Sequence, residues 1–435
     1  MEPITRAPGL RRRQQQQARA QPKAVLALAV QAGDLLLRSG AETARVEATV
    51  DILVRAFGFA LSDCLVTPTG VYISLDDPRL PAPVTRVHRV HSRGVHYARI
   101  SAVNDLSRRV REGRLSPAAA QAELDRIAAA PDPYPFPLWL AAGATSAAGL
   151  AVLLGGDVQD VIPAFAGTVL VLLVGAGLAR SRVPALFSDF SGAVLVSGMA
   201  LGLVAAGLPI HADLVIAGGI MKLVPGAALL LAVQDGIAGD LLSSGARGLE
   251  TLLKGAALAS GVGLVLTQAV HLGLLIPAAG APATVWQIPI QVGAAFVAAA
   301  TYAVSNHVPR FAVLTAGVAG AVGWLANLLI VQVEPSALTA TFLAAFLVGV
   351  LSWGFARWQR APVTLYVLPG MLPLLPGLTL FNGMLDLAKT QNVVGLLVLV
   401  HAVALGGALA AGVALSNTVG PPLWRKRFHR PWRRV

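Results

Sequence analysis

Gly219-Ile-Met-Lys222-Leu-Val-Pro225-Gly226 and Gly370-Met-Leu-Pro-Leu-Leu-Pro376-Gly377 share the pattern G-x-x-x-L-x-P-G and begin 151 residues apart, at 219 and 370. The same offset carries Asp235 onto Asp386 and Pro184 onto Pro335. Three agreements at one offset point to an internal duplication. Both copies lie in apolar sequence, so the reading turns on what a Pro-Gly pair does inside a membrane helix. Proline removes a backbone donor and clashes with the preceding turn, and glycine lets the chain bend. In a bilayer the freed carbonyls and amides must be met by neighbours or by a water-filled cavity. A helix broken there presents a half-helix N-terminus, with its positive dipole end, near mid-membrane, where a carboxylate is favoured. A structural kink is the plainer alternative, because Pro and Gly are common in membrane helices. Two related copies favour a site. Pro369, Gly370 and Pro373 break the second segment further.

Composition agrees with a multi-span membrane chain. Of 435 residues, 55% are hydrophobic and 13% charged, against roughly 25% charged in a soluble protein. The net charge of +12 belongs to the ends: most basic residues lie before Pro137 or after Gly420. Such flanks hold a cytoplasmic side in place, so the membrane explains them better than nucleic acid does. Cys64 is the only cysteine, which excludes an internal disulfide framework and a cysteine metal cluster. No secretory signal is visible at the start, where residues 1–23 read as a disordered basic tail.

Residues 24–132 read as a soluble α+β domain. Val25, Leu28, Ala29, Ala32, Leu35 and Leu36 make one helical face, and Val46, Val50, Leu53, Val54 and Phe57 another, with Gly40 between the helices. Cys64–Thr67 and Val71–Ser74 flank the turn composition Pro68-Thr69-Gly70, and Val84–Val90 is a third strand. Ile100, Val103, Leu106 and Val110 mark a third helix, and Ser116-Pro117 caps a fourth. Residues 133–137 are a Pro-rich linker.

About ten spans follow, near 138–155, 160–179, 190–208, 213–234, 252–275, 288–305, 311–332, 336–356, 363–383 and 394–415. The sixth is weak, because Tyr302 and Asn306 crowd its end. Arg180, Arg182, Arg247, Arg310, Arg357 and Arg360 fall on one side with the basic tail 419–435. Asp157, Asp160, His211, Asp213, Glu334 and Lys389 fall on the other. That asymmetry predicts cytoplasmic N and C termini in a bacterial inner membrane. The fold class expected is an α-helical polytopic membrane protein with about ten transmembrane helices as two inverted five-helix repeats, 138–280 and 281–418. Five spans per half force the second half upside-down relative to the first.

Candidate solute-binding residues are Lys222, Pro225, Gly226, Pro369, Gly370, Pro376 and Gly377. Asn382 is either a further ligand or an interhelical hydrogen bond. Lys222 pairs with a solute carboxylate or with Asp235, or else snorkels to the interface. Asp235 and Asp386, each nine residues past a motif glycine, are proton or cation sites or mark span ends. No P-loop is present, so ATP does not drive the protein directly, and no cofactor is expected. His88, His91 and His96 fit no strong zinc spacing, and no metal is expected. Glu42, Glu47 and Asp51 near Thr67 and Thr69 are a hydrolytic site or, more plainly, a solvated helix face.

The stretch Leu36-Leu-Arg-Ser-Gly40-Ala-Glu42-Thr-Ala-Arg45-Val-Glu47 with Val66-Thr67-Pro68-Thr69-Gly70 resembles the N-terminal domain of the bacterial threonine/serine exporter family. Leu223-Val-Pro225-Gly226 with Asp235-Gly-Ile-Ala-Gly-Asp240 resembles its first membrane half, and Leu368-Pro369-Gly370 with Pro373-Leu-Leu-Pro376-Gly377 its second. Where family members carry Tyr after the Glu-Thr pair, this chain has Ala44. The resemblance implies a fused two-half secondary exporter of small hydroxyl amino acids, driven by the membrane potential or proton gradient. It marks Asp240 beside Asp235 and Asp386 as a coupling candidate, and Glu42, Arg45, Glu47, Thr67 and Thr69 as the soluble-domain motif. The partners implied are threonine or serine, protons or another coupling ion, and the lipid bilayer. A homo-oligomer is compatible with the sequence. A dicarboxylate exporter on the same fold, a channel, and a membrane-tethered hydrolase are the alternative classes. The dicarboxylate reading requires more positive charge than Lys222 alone supplies.

Overall fold

The computed structural model describes residues 21–78, 80–91, 93–271, 288–377, 379–380, 382–383, 386 and 393–427. The expected tail lies outside these residues up to 20, as do Lys389, the boundary between halves at 280–281 and residues 428–435. Helix already begins at Pro22, within the expected tail. Proline suits that first helical position, where its missing N–H has no intrahelical partner to lose. The chain divides into two compact units, Met1–Pro133 with Leu241–Ser243, and Tyr134–Asp240 with Ser244–Val435.

The first unit holds α1 (Pro22–Arg38), α2 (Thr43–Ala56), β1 (Leu61–Thr67), β2 (Gly70–Leu75), β3 (Val84–Arg89), α3 (Tyr97–Arg111) and α4 (Pro117–Ala129). The strands form an antiparallel meander in the order β1-β2-β3. The helical faces read from periodicity are the buried ones: Val25, Leu28, Ala29 and Ala32 on α1, and Val46, Val50, Leu53 and Val54 on α2. The α1 face packs against β2, whose Val71, Ile73 and Leu75 are buried, and α2 packs against β1. Gly33 allows the close approach, since a Cβ there would lie 3.3 Å from a Val71 methyl. Gly40 has φ of +85°, and a Cβ would meet the Gly94 carbonyl at 2.8 Å, so the α1–α2 turn requires glycine. The Ser116 hydroxyl accepts the Ala119 N–H at 3.3 Å, capping α4.

The second unit is helical: α5 (Phe136–Leu153), α6 (Val158–Arg180), α7 (Ala185–Ala205), α8 (Ala212–Ile220), α9 (Gly226–Ile237), α10 (Leu241–His271), α11 (Ile288–Ser305), α12 (Arg310–Val333), α13 (Ala337–Gln359), α14 (Thr364–Gly370), a 3-10 turn over Leu372–Leu374, and α15 (Val393–Arg427). Eight of the helices described (α5, α6, α7, α10, α11, α12, α13 and α15) are long and apolar enough to cross a membrane. The protein is therefore a helical polytopic membrane protein. The fourth and ninth expected spans are discontinuous, as α8 with α9 and as α14 with the chain beyond it. α10 starts eleven residues before the expected 252. Its first turns carry Arg247, Glu250 and Lys254, which are paired with carboxylate or ammonium partners and so need no loop. α15 likewise runs past the expected 415, through Pro421 and Pro422.

The helices recur at a fixed spacing. α11, α12, α13, α14 and α15 begin 152 residues after α5, α6, α7, α8 and α10 respectively. Packing recurs with them. α6 touches α5, α7 and α8, and α12 touches α11, α13 and α14. α5 and α11 run antiparallel: Trp139 Nε1 donates to the Ser305 carbonyl (2.9 Å), and Ser146 Oγ donates to the Ala298 carbonyl (3.0 Å). Just ahead of α5, Tyr134 reaches the Val308 carbonyl beyond the end of α11 (2.7 Å).

Candidate functional site

Each motif copy breaks its helix. α8 stops at Ile220; Leu223 N–H turns back to the Ile220 carbonyl (2.7 Å), and Gly226 N–H to the Val224 carbonyl (2.9 Å). Pro225 cannot donate, so no helical ladder passes through it. The ladder resumes when Leu229 N–H reaches the Pro225 carbonyl (3.0 Å). In the second copy Pro369 lies inside α14 and Gly370 ends it. Leu374 and Leu375 donate to Met371 and Leu372 (2.9 and 3.3 Å). Helix reopens at Gly377, with Leu380 N–H on the Pro376 carbonyl (2.9 Å). Leu229 and Leu380 are themselves 151 residues apart, so the two breaks restart by the same bond.

The breaks meet each other. A Cβ on Gly226 would lie 3.3 Å from Leu375 Cβ, and one on Gly377 would lie 2.8 Å from a Val224 methyl. These two contacts exchange under the 151-residue offset. Met221, Leu372 and Leu375 then pack with Leu150, Leu153, Ala295, Ala298, Tyr302 and Trp324. The first motif glycines are packing positions: a Cβ on Gly219 would lie 2.7 Å from Val196, and one on Gly370 would lie 2.8 Å from Ala319. Pro225, Gly226, Pro369, Gly370, Pro376 and Gly377 are all buried, with Gly226 and Gly377 at the meeting of the breaks.

Lys222 supplies the seam's charge. Its half-buried ammonium donates to Ser305 Oγ (2.8 Å) and Asn306 Oδ1 (3.4 Å), and lies 4.7 Å from the Tyr302 ring centroid. The acceptors are pre-aimed. Ser305 Oγ–H and Asn306 Nδ2–H both donate to the Tyr302 carbonyl (3.0 and 2.8 Å), which turns their oxygens toward Lys222. Among the described residues no carboxylate pairs with this ammonium. The expected alternative of a Lys222–Asp235 pair is not what the structure has. Asp235 accepts from Arg247 Nε (2.9 Å), and both side chains are buried. Arg247 lies on α10, one turn and more inside a helix that the sequence reading began later.

The remaining candidates scatter. Asp240 lies just ahead of α10; its N–H donates to the Asp235 carbonyl (2.9 Å) and its own carbonyl accepts from Ser244 (3.0 Å). Asp386 is helical and half-buried, and Asn382 is helical but exposed. In the first unit Glu42 sits at the N-cap position of α2 without a side-chain capping bond and pairs with Arg45 (3.8 Å), and Glu47 accepts the Val66 N–H (3.2 Å). Thr67 Oγ1 accepts the Thr69 N–H (3.4 Å) at the hairpin turn. These are bonds that hold the domain's own backbone. His88 and His96 are committed to different carboxylates, Asp34 (3.0 Å) and Asp132 (3.2 Å). Ser305 is not among the sequence candidates, Asn306 enters there only as the polar crowding that makes the sixth span weak, and Arg247 only as a charge on one side of the membrane.

Two family models match the chain: "putative threonine/serine exporter" over residues 27–268, and "threonine/serine exporter" over 291–419. A threonine/serine exporter of Corynebacterium glutamicum is 30% identical over 424 residues, covering 95% of this chain and 86% of that protein. A probable threonine/serine exporter of Mycobacterium tuberculosis is 28% identical over 414 residues, covering 92% and 77%. No solved structure matches the chain.

Proposed function

We propose that this chain, which belongs to the threonine/serine exporter family, moves a small hydroxyl amino acid across the membrane through the seam between its two helix breaks. One observation carries the reading: Lys222 is held across the seam by neutral groups alone among the described residues. An ammonium in such a cage can exchange a neutral acceptor for a carboxylate, whose full negative charge attracts it more strongly than a neutral oxygen does away from bulk water. The α9 N-terminus at Gly226, four residues on, adds its dipole to the same carboxylate. A single uncompensated cation suits one carboxylate. Arg247, the other buried cation named here, is already neutralised by Asp235. That favours an amino acid over a dicarboxylate.

The inverted-repeat architecture is part of the proposal. The 152-residue spacing of helices, the antiparallel α5 and α11, and the exchanged contacts of Gly226 and Gly377 support it. Alternating access would rock one half against the other about this seam. The chain is a multi-pass membrane protein; a bacterial inner-membrane location with cytoplasmic termini follows from the loop charges. Coupling to the proton-motive force is assigned to the Asp235 and Asp386 positions.

The test is efflux of labelled threonine, serine and succinate from proteoliposomes, with and without an imposed proton gradient. Gradient-dependent threonine or serine efflux is expected. Lys222→Met removes a charge-assisted bond of about 1.5–3 kcal/mol, so half-saturation should rise by roughly 10- to 100-fold. Succinate efflux without amino-acid efflux, or an unchanged half-saturation in Lys222→Met, overturns the assignment.

A further inference from the structure

Asp160 is fully buried in the first turn of α6 and belongs to no part of the seam. A buried carboxylate needs strong partners to be tolerated. Asp160 has them: it accepts the His211 backbone N–H at 2.7 Å and bonds His211 Nδ1 at 2.9 Å, and its other role is to accept the Asp157 N–H (3.2 Å) in the α6 capping box. His211 immediately precedes α8. At the other end of α8, the buried Thr168 hydroxyl of α6 shares its proton between the Ala164 carbonyl of its own helix (2.9 Å) and the Gly219 carbonyl (3.2 Å). Both ends of the first half-helix are thus tied to α6. The recurring architecture does not demand this. The equivalent positions, 152 residues on as these helices recur, are Ala312, Val363 and Gly320, none of which has a side chain that can make these bonds. The tie belongs to one half only.

We propose that Asp160, His211 and Thr168 form a tether that positions α8 for transport, and that solute flux follows the protonation of His211 at the membrane face opposite the one where the chain enters α5. The inference rests on the exporter reading for its flux arm alone. His211 is more than half exposed, so protons reach it from solvent. The charged groups that face it are Asp160 and Asp157 on α6 and Asp213 on α8. The end of α7 brings no charged side chain, and the end of α10 brings His271, whose Nδ1 is engaged with the Thr267 carbonyl (2.8 Å). The Asp160 bond holds the His211 imidazolium above the usual imidazole range. The sign follows. The charged tether is fully present below the ordinary histidine pKa and is lost as pH rises through the elevated one. The tether is tight in acid and slack in alkali, and flux falls as that face is made alkaline.

Amide exchange and efflux in the full-length protein test it together. The exchange rate of a peptide covering α8, divided by that of a peptide covering α14, cancels the intrinsic pH dependence. In the wild type this ratio should rise several-fold with pH, and in His211→Gln and Asp160→Asn it should stay flat. Threonine efflux should lose its pH response in the same variants, with Thr168→Ser retaining it. A wild-type ratio that is flat with pH, or a pH response unchanged in His211→Gln, overturns the tether. Should no protein move threonine while the ratio behaves as described, the tether stands and the solute assignment falls.

Discussion

At the residue scale the motif glycines differ, although the sequence writes them alike. Gly377 faces Val224 at a distance no side chain tolerates, whereas Gly226 faces Leu375 at 3.3 Å, which a small shift relieves. Gly377→Ala must therefore push the breaks apart, at a cost of about 1–3 kcal/mol. We expect it to lower threonine flux by an order of magnitude or more, while Gly226→Ala retains most of it. Efflux from proteoliposomes at matched protein density checks this; equal effects of the two substitutions would show that the seam is not packed as described. The positions of both glycines were legible, because Pro-Gly in an apolar run has few meanings. The cage around Lys222 was not. Ser305 and Asn306 lie 83 and 84 residues beyond it, and helical periodicity carries no information about which spans meet.

At the element scale the pair Asp235–Arg247 joins α9 to α10. Both groups are buried, so removing one strips the other of its opposite charge at 2.9 Å, at a cost of about 3–5 kcal/mol. Asp235→Asn should lower the melting temperature sharply in detergent, and Asp235→Leu with Arg247→Met should recover most of the loss. Threonine flux in the recovered double variant then assigns the pair. Flux regained with stability means that the pair only holds the half-helix, and flux still absent means that Asp235 carries the coupling ion. Sequence reasoning placed Arg247 in a loop because charge ended its predicted span. Within α10 the same charge is satisfied by Asp235, one element back. Elements bounded by caps or breakers were read closely: Ser116 and Pro117 opened α4, and the Gly40 turn parted α1 from α2. Elements bounded by charge alone, such as α10, were misplaced.

At the scale of the whole molecule, periodicity revealed a helix-rich membrane protein, and a 151-residue offset suggested that it is built twice. The structure lays out helices at 152-residue intervals and brings the two motif copies face to face. What no offset could reveal is where the copies diverge. Lys222 has Pro373 as its counterpart in the motif, and Asp160 has Ala312 in the recurring helix. Among the described residues the seam's ammonium and the α6–α8 tether have no counterpart in the second half, so the two similar halves are not chemically equivalent. The central claim is that solute passes where the breaks meet, and that the meeting must open. It is tested most directly by Gly226→Cys with Leu375→Cys in a Cys64→Ser background, whose Cβ atoms would lie about as close as a disulfide requires. The account predicts threonine efflux in the reduced protein, its arrest on oxidation, and its return with reductant. A disulfide formed in full with efflux undiminished would contradict it.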